Sequence, residues 1–260
     1  LQGRPDRIEP SKTKGVLAMT ANKKKHKALK IARNIFLIFF AVCVAAAGAI
    51  TLRGYYMYTS ALEQLPVRRA AGEVRAKEGF TPLSELPDTY LDAVIAAEDH
   101  RFYEHGGVDY IAIGRAVYND IRTMSFAEGG STITQQLAKN LYFTQEKELT
   151  RKVAEVFMAW NLEHSFSKEE ILELYVNSIY YGSGCYSIGD ASRTYFHKEP
   201  SDMTDYECTM LAGVPNAPSV YDPSVNPDLA SQRQRQVVGL MVKYAGLSQD
   251  KAELLTCGVN

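Results

Sequence analysis

Cysteine is scarce. Only Cys43, Cys185, Cys208 and Cys257 occur in 260 residues, and none has the spacing of a metal-ligand pair. A disulfide-stapled scaffold is excluded, and one bridge among Cys185, Cys208 and Cys257 is allowed without being required. Strand-type alternation is nearly absent, which leaves little material for a sheet. Ten prolines and eighteen glycines show no collagen-like period, and a 46% hydrophobic share is too high for a disordered chain. No internal repeat is visible. What remains is length and apolar surface for one sizeable core, or two small ones.

Charge is missing altogether from Ile35 to Leu52, a run of eighteen residues. As a helix rising about 1.5 Å per residue it would measure about 27 Å, close to a hydrocarbon core of roughly 30 Å. A helix on a soluble core would carry a polar stripe, and this segment is apolar on every side. Residues 35–52 are therefore read as a transmembrane helix. Ala45, Ala46 and Ala47 supply the small residues of a cleavage site, but both the 34 residues ahead of the run and the run itself are long for a signal peptide. An uncleaved anchor is expected. Val42 stands where a lipoprotein would need a small residue before Cys43.

The formal net charge of −1 averages two unlike regions. Residues 1–34 hold ten Lys and Arg against Asp6 and Glu9, whereas the rest holds nineteen basic and twenty-eight acidic residues. Basic flanks of a membrane span stay in the cytoplasm, so 1–34 is expected inside as a single-pass tail and everything after Arg53 outside. The split speaks for a membrane partner and against nucleic acid.

After the anchor, Pro66, Pro82 and Pro87 interrupt the pattern, and 53–82 is read as a stalk and entry segment. Helical periodicity begins at Asp88: Leu91, Val94 and Ile95 form a stripe ending near Glu98, and Ile111, Ile113, Ala116, Val117 and Ile121 form another. Gly129 and Gly130 break it, with Ser131 or Thr132 as the N-cap of the next helix. Leu149, Val153, Val156, Phe157 and Trp160 continue, and Ser167 and Thr204 each open a capping box. The expected fold is mostly α, one domain over 83–260.

Three stretches are candidates for chemistry. In Glu98-Asp99-His100-Arg101-Phe102-Tyr103-Glu104-His105-Gly106-Gly107-Val108-Asp109, an apolar helix runs into a dense group of ionisable residues. A carboxylate there can be desolvated enough to act as a general base, or these groups can simply be ion pairs at a helix end. His100 and His105, five apart, face different ways on a helix, and no metal site is assigned. In Gly129 to Asn140, a glycine turn opens a helix whose N-terminus and Lys139 suit an anion, although a polar helix start reads the same way. Lys147, Arg151 and Lys152 surround Glu155. This is either a surface i, i+4 pair or a site for a diphosphate leaving group.

Together these stretches resemble the family 51 glycosyltransferases, the peptidoglycan polymerases that occur alone or as half of class A penicillin-binding proteins. The likeness spans about 83–223: Glu98-Asp99-x-x-Phe102-x-x-His105-x-Gly107-x-Asp109, Gly130-Ser131-Thr132-Ile133-Thr134-Gln135-Gln136-x-x-Lys139-Asn140, Arg151-Lys152-x-x-Glu155 and Lys168-x-x-Ile171-Leu172-Glu173-x-Tyr175-x-Asn177. Tyr195-Phe196 and Leu211 to Tyr221 are also similar. Ser187, Asp190 and His197 depart from the family pattern around the glycine loop. Ser165-x-x-Lys168 and Ser224-x-Asn226 imitate parts of a penicillin-binding site, but no K-T-G follows in this sequence.

The resemblance implies a lysozyme-like helical domain that polymerises lipid II at the outer face of the cytoplasmic membrane, releasing undecaprenyl pyrophosphate with inversion to a β-1,4 link. It implies Glu98 as the base toward the acceptor 4-hydroxyl and Glu155 as a second carboxylate at the donor side. Lys139, Lys147 and Arg151 would hold the diphosphate, with Arg101 and Arg115 as further candidates. Ser131, Gln135 and Gln136 would contact sugar or phosphate, and Glu173 would brace helix packing. No cofactor is required, although a divalent cation (Mg or Mn) is allowed. Partners would be the lipid-linked strand, the membrane and other cell-wall synthesis proteins. The segment from Tyr118 to Phe126 would dip into the bilayer. A glycan-cleaving enzyme of lysozyme type and a non-catalytic membrane scaffold are the alternatives.

Overall fold

The computed structural model describes residues 10–123, 130–143 and 148–256, and among them no strand occurs. The chain divides into two units, Leu1–Leu52 and Arg53–Asn260. In the first, helix α1 (Pro10–Gln64) carries the uncharged run with its side chains exposed, Ile35 at 62% and Leu52 at 57%. The stretch Leu29–Gln64 is long and apolar enough to cross a membrane.

The second unit contains the end of α1 and ten further helices among the described residues. These are α2 (Val67–Arg75), α3 (Asp88–Glu98), α4 (Tyr110–Thr123), α5 (Ile133–Tyr142), α6 (Leu149–Ser165), α7 (Lys168–Val176), α8 (Ile188–Phe196), α9 (Asp205–Gly213), α10 (Pro227–Tyr244) and α11 (Gln249–Thr256). The reading of 53–82 as a stalk does not survive. The helix runs on to Gln64, and Pro66, Pro82 and Pro87 sit at the N-caps of α2, a short 3-10 turn and α3. A helix start leaves its first N–H groups unpaired, so proline there loses nothing and pre-sets the backbone. Within this unit Tyr55 lies edge-on to Phe157 of α6, and Asn161 donates to the Tyr58 hydroxyl at 2.8 Å. Ala70, Ala71 and Val74 of α2 are buried.

One core joins the helices. Tyr90, Ala93 and Val94 of α3 meet Cys208 and Leu211 of α9 and Val237 of α10, while Ile133 and Leu137 of α5 meet Met158 of α6 and Tyr175 of α7. Val238, Ala252 and Leu255 form a small satellite that holds α11. Cys185 and Cys208 are buried free thiols, Cys43 is exposed, and Cys257 lies outside the described residues. The two predicted capping boxes form, at Ser167 and Thr204, and Thr132, of the two N-cap candidates, caps α5 with a third box, each closed by the residue three positions on. Ser187 caps α8 by accepting from the Asp190 N–H, so two of the departures in the glycine loop are a helix cap. His197 ends α8 at φ +57°, the left-handed conformation in which glycine is at ease. Glu173 accepts from the Leu83 N–H and pairs with Arg75 at 3.3 Å, which binds α7 to α2 and the entry turn.

Candidate active site

Helix α3 is anchored by its apolar face and delivers Glu98 in its last turn. Glu98 Oε2 accepts from Gln136 Nε2 of α5 at 2.8 Å, whereas Oε1 is buried with no hydrogen-bond partner among the described residues. Burial pushes the Glu98 carboxyl above the usual glutamate range. The Gln136 amide and the charges of Arg233 and Lys139 act against this, and Asp99 adds to it. One oxygen is thus held and the other is left basic.

The residues after Glu98 lock that turn in place. Asp99 Oδ2 accepts from the Ile133 N–H at 3.1 Å, which ties α3 to the start of α5, and Thr132 Oγ donates to the Gly107 carbonyl at 2.8 Å. His105 bridges Asp99 Oδ1 (2.8 Å) and the Gly106 carbonyl (2.5 Å). Both partners are acceptors, an arrangement that suits the protonated ring with its two donors. Burial alone would lower its pKa, but these hydrogen bonds and the Asp99 charge outweigh burial and raise it, while Lys168 opposes them. A histidine whose folded pKa is raised stabilises fully below its unfolded pKa of about 6.5 and loses that contribution as pH rises through the folded value. Melting temperatures of the wild type and His105→Gln should therefore differ most near pH 6 and converge at higher pH. A difference that stays flat with pH would refute the imidazolium.

Helix α5 then carries Gln136 and, almost one turn on, Lys139. Lys139 is depressed below the usual lysine range, first by burial and then by Arg151 and Lys152, while Glu155 and Glu98 act the other way. Glu155 on α6 is 1% exposed. Its Oε1 faces Arg151 Nε at 3.1 Å, and its Oε2 accepts from Lys152 Nζ at 2.9 Å. Lys152 also donates to Ser131 Oγ at 2.7 Å, which links α6 to the start of α5. The i, i+4 pair of the sequence is not a surface pair: it is the buried floor of a cationic cradle.

The expected residues fall into two adjoining groups. Ser131 and Arg115 share a cleft with Glu98, and Arg115 donates to His100 Nε2 at 3.3 Å. Lys139, Arg151, Lys152 and Glu155 make the cradle, and Gln136 joins the two. Two of the expected residues are engaged by neighbours within the domain. Gln135 is 2% exposed, with its side-chain carbonyl accepting from the Thr132 N–H, so it closes a helix cap. Arg101 lies 3.1 Å from Asp109, which lines the Glu98 cleft. Lys147 and the part of the Tyr118–Phe126 segment beyond Thr123 lie outside the described residues, and Tyr118 itself is exposed. Sequence reading missed Arg233 of α10, whose charge acts on Glu98, and undervalued Lys152. Arg233 follows the last recognisable motif, and only the packing of α10 against α3 brings it to the site.

A family model described as transglycosylase matches residues 66–242. The chain belongs to the transglycosylase family. At the level of the family it is a peptidoglycan glycosyltransferase, an enzyme of cell-wall synthesis. Penicillin-binding protein 1A of Neisseria lactamica is 41% identical over 82% of this chain and 29% of its own length. Penicillin-binding protein 2D of Bacillus subtilis is 41% identical over 92% of this chain and 36% of its own. The chain thus spans about a third of the length of these relatives or less. A crystal structure of penicillin-binding protein 1A from Haemophilus influenzae aligns with 68% of this chain and 17% of that one, at 21% identity and a TM-score of 0.41.

In this transglycosylase domain a cavity of about 530 Å³ adjoins the cradle, lined by Gln136, Lys139, Asn140, Tyr180, Tyr186 and Pro218 among others. The rings of Tyr180 and Tyr186 stand 4.9 Å apart, flat apolar surface next to amides, which suits a sugar chain. Asp99, His105 and Asp109 place ligand atoms within 4.8 Å of one another. Each is already engaged: Asp99 by His105 and Ile133, and Asp109 by Arg101 and the N–H groups of Ile111 and Ala112. That donor set fits a hydrogen-bond network, and the cradle is lined by cations, so neither fits a resident divalent ion.

Proposed function

We propose that the protein polymerises lipid II, with Glu98 as general base and the Lys139–Arg151–Lys152 cradle holding the departing lipid diphosphate. The observation that carries this is the buried, unpartnered Glu98 Oε1, on a carboxylate whose Oε2 is held by Gln136, which lies within one turn of Lys139 on α5. The acceptor hydroxyl gives its proton to Glu98 as its oxygen bonds to the anomeric carbon of the donor. The bond from that carbon to the diphosphate breaks, its electron pair leaving with the phosphate, and the configuration inverts. The tyrosine-lined cavity would hold the growing strand. A divalent cation, where one takes part, would arrive with the diphosphate, and no step runs through it.

Lysozyme-type cleavage is disfavoured because a neutral glycan needs no buried cationic cradle. The exposed apolar helix suits an enzyme whose substrates carry lipid tails, with the basic tail inside and the domain outside the cytoplasmic membrane. Purified protein given labelled lipid II should form polymer, whereas purified glycan should stay uncut. The pH profile should be a bell, with its acid limb above the usual glutamate range through Glu98 and its alkaline limb below the usual lysine range through Lys139. Shortening of glycan without polymer would overturn the proposal.

A further inference from the structure

Tyr175 belongs to α7 and is fully buried, yet its hydroxyl does not serve the core. It donates to Gln136 Oε1 at 3.3 Å, and Gln136 Nε2 in turn donates to Glu98 Oε2. A glutamine amide has two faces of opposite character: the NH₂ group stabilises a carboxylate, whereas the carbonyl repels one and accepts from a protonated carboxyl. Which face meets Glu98 decides which form of the base is favoured. We propose that Tyr175 is a positioning residue for Glu98: its hydroxyl engages the Gln136 carbonyl and so turns the amide NH₂ toward the base, favouring the ionised carboxylate. This rests on the reading of Glu98 as the base and adds a residue that no substrate need touch.

Other groups act on the same carboxyl and set the background against which the relay works. Lys139 on α5 and Arg233 on α10 favour ionisation, and Asp99 opposes it. Tyr175 and Tyr181 face it from α7 and the following turn, and His100 and Arg115 share its cleft. Apart from Tyr175, none of these touches the Gln136 amide in a hydrogen bond among the described residues. Removing the Tyr175 hydroxyl leaves the Gln136 carbonyl without its donor, and the amide can then turn to accept from a protonated Glu98. The base should become harder to ionise.

The test reads Glu98 directly. The carboxyl stretch of the full-length protein is titrated by infrared difference spectroscopy, with the Glu98 band assigned by its loss in Glu98→Gln. In Tyr175→Phe the midpoint should rise by about half a pH unit or more. It should rise at least as far in Gln136→Met, and adding Tyr175→Phe to Gln136→Met should move it no further, because the relay is already cut. A folded Tyr175→Phe with an unchanged midpoint overturns the proposal, as does a full further shift in the double variant. If Tyr175→Phe does not fold, Gln136→Met decides: an unmoved midpoint overturns the relay and a raised one supports it. No lipid II is needed, so this outcome is independent of the polymer assay. Loss of polymerisation in the wild type would instead strike at the proposed function.

Discussion

Glu98→Gln is expected to abolish polymer formation while leaving the fold intact. A positioned general base contributes about 10² to 10⁴ in rate, so kcat/KM should fall by about three orders of magnitude, with turnover affected more than substrate binding. The substitution keeps the shape of the side chain and removes its charge. Because burial raises the Glu98 pKa in the folded protein, the native state binds more protons than the unfolded chain between the two pKa values, and stability declines as pH rises across that interval. The neutral glutamine escapes this cost. Glu98→Gln should therefore melt at the same or a higher temperature than the wild type at pH 7, and the advantage should vanish below about pH 4, where the unfolded glutamate is also protonated. Activity measured with labelled lipid II and melting measured at both pH values check the two halves together. A Glu98→Gln protein that polymerises at the wild-type rate would remove the base from the mechanism.

Much of this site can be read in the sequence because it is built from local signals. The stripe of α3 ends at Glu98, and Ser167 and Thr204 announce their helices through residues three positions away, within reach of any single-chain reading. Motif order carried the rest: Glu98, Gln136, Lys139, Arg151 and Glu155 do meet through α3, α5 and α6. What stays hidden depends on which way a side chain turns. Gln135 and Gln136 are neighbours of the same type, yet one closes a cap inside the core and the other reaches Glu98. Lys152 and Arg151 are also adjacent, and both fold onto Glu155 because one lies three and the other four residues before it. Arg233 lies 135 positions beyond Glu98, and nothing in its neighbours points to the site. The prolines misled for a different reason: Pro66 and Pro87 break a helix that would pass through them but start the one that follows.

Replacing Glu155 should cost more stability than any other single change in the site. Its carboxylate is buried, with Arg151 on one oxygen and Lys152 on the other. Taking one member from a buried pair costs about 3 to 5 kcal/mol, since the remaining charge has been taken out of water without its counter-ion. Here the lower end applies: the Lys152 side chain is 43% exposed and can turn to solvent, whereas that of Arg151 is 14% exposed and stays. Glu155→Ala should thus lose about 3 kcal/mol, a large part of the stability of an ordinary domain, read as a drop in the midpoint of denaturant unfolding. Glu155→Gln keeps the volume and separates structure from electrostatics. Glu155 is the leading influence that holds up the Lys139 pKa, so removing its charge lowers that pKa further and draws the alkaline limb of the pH profile downward. If Glu155 instead served as an independent proton carrier, with both oxygens available, Glu155→Gln would lose turnover at every pH and leave the alkaline limb where it is. Its engagement by two cations favours the first outcome: an anion that fixes the cradle in place until a diphosphate, carrying more negative charge, takes its share of the same cations.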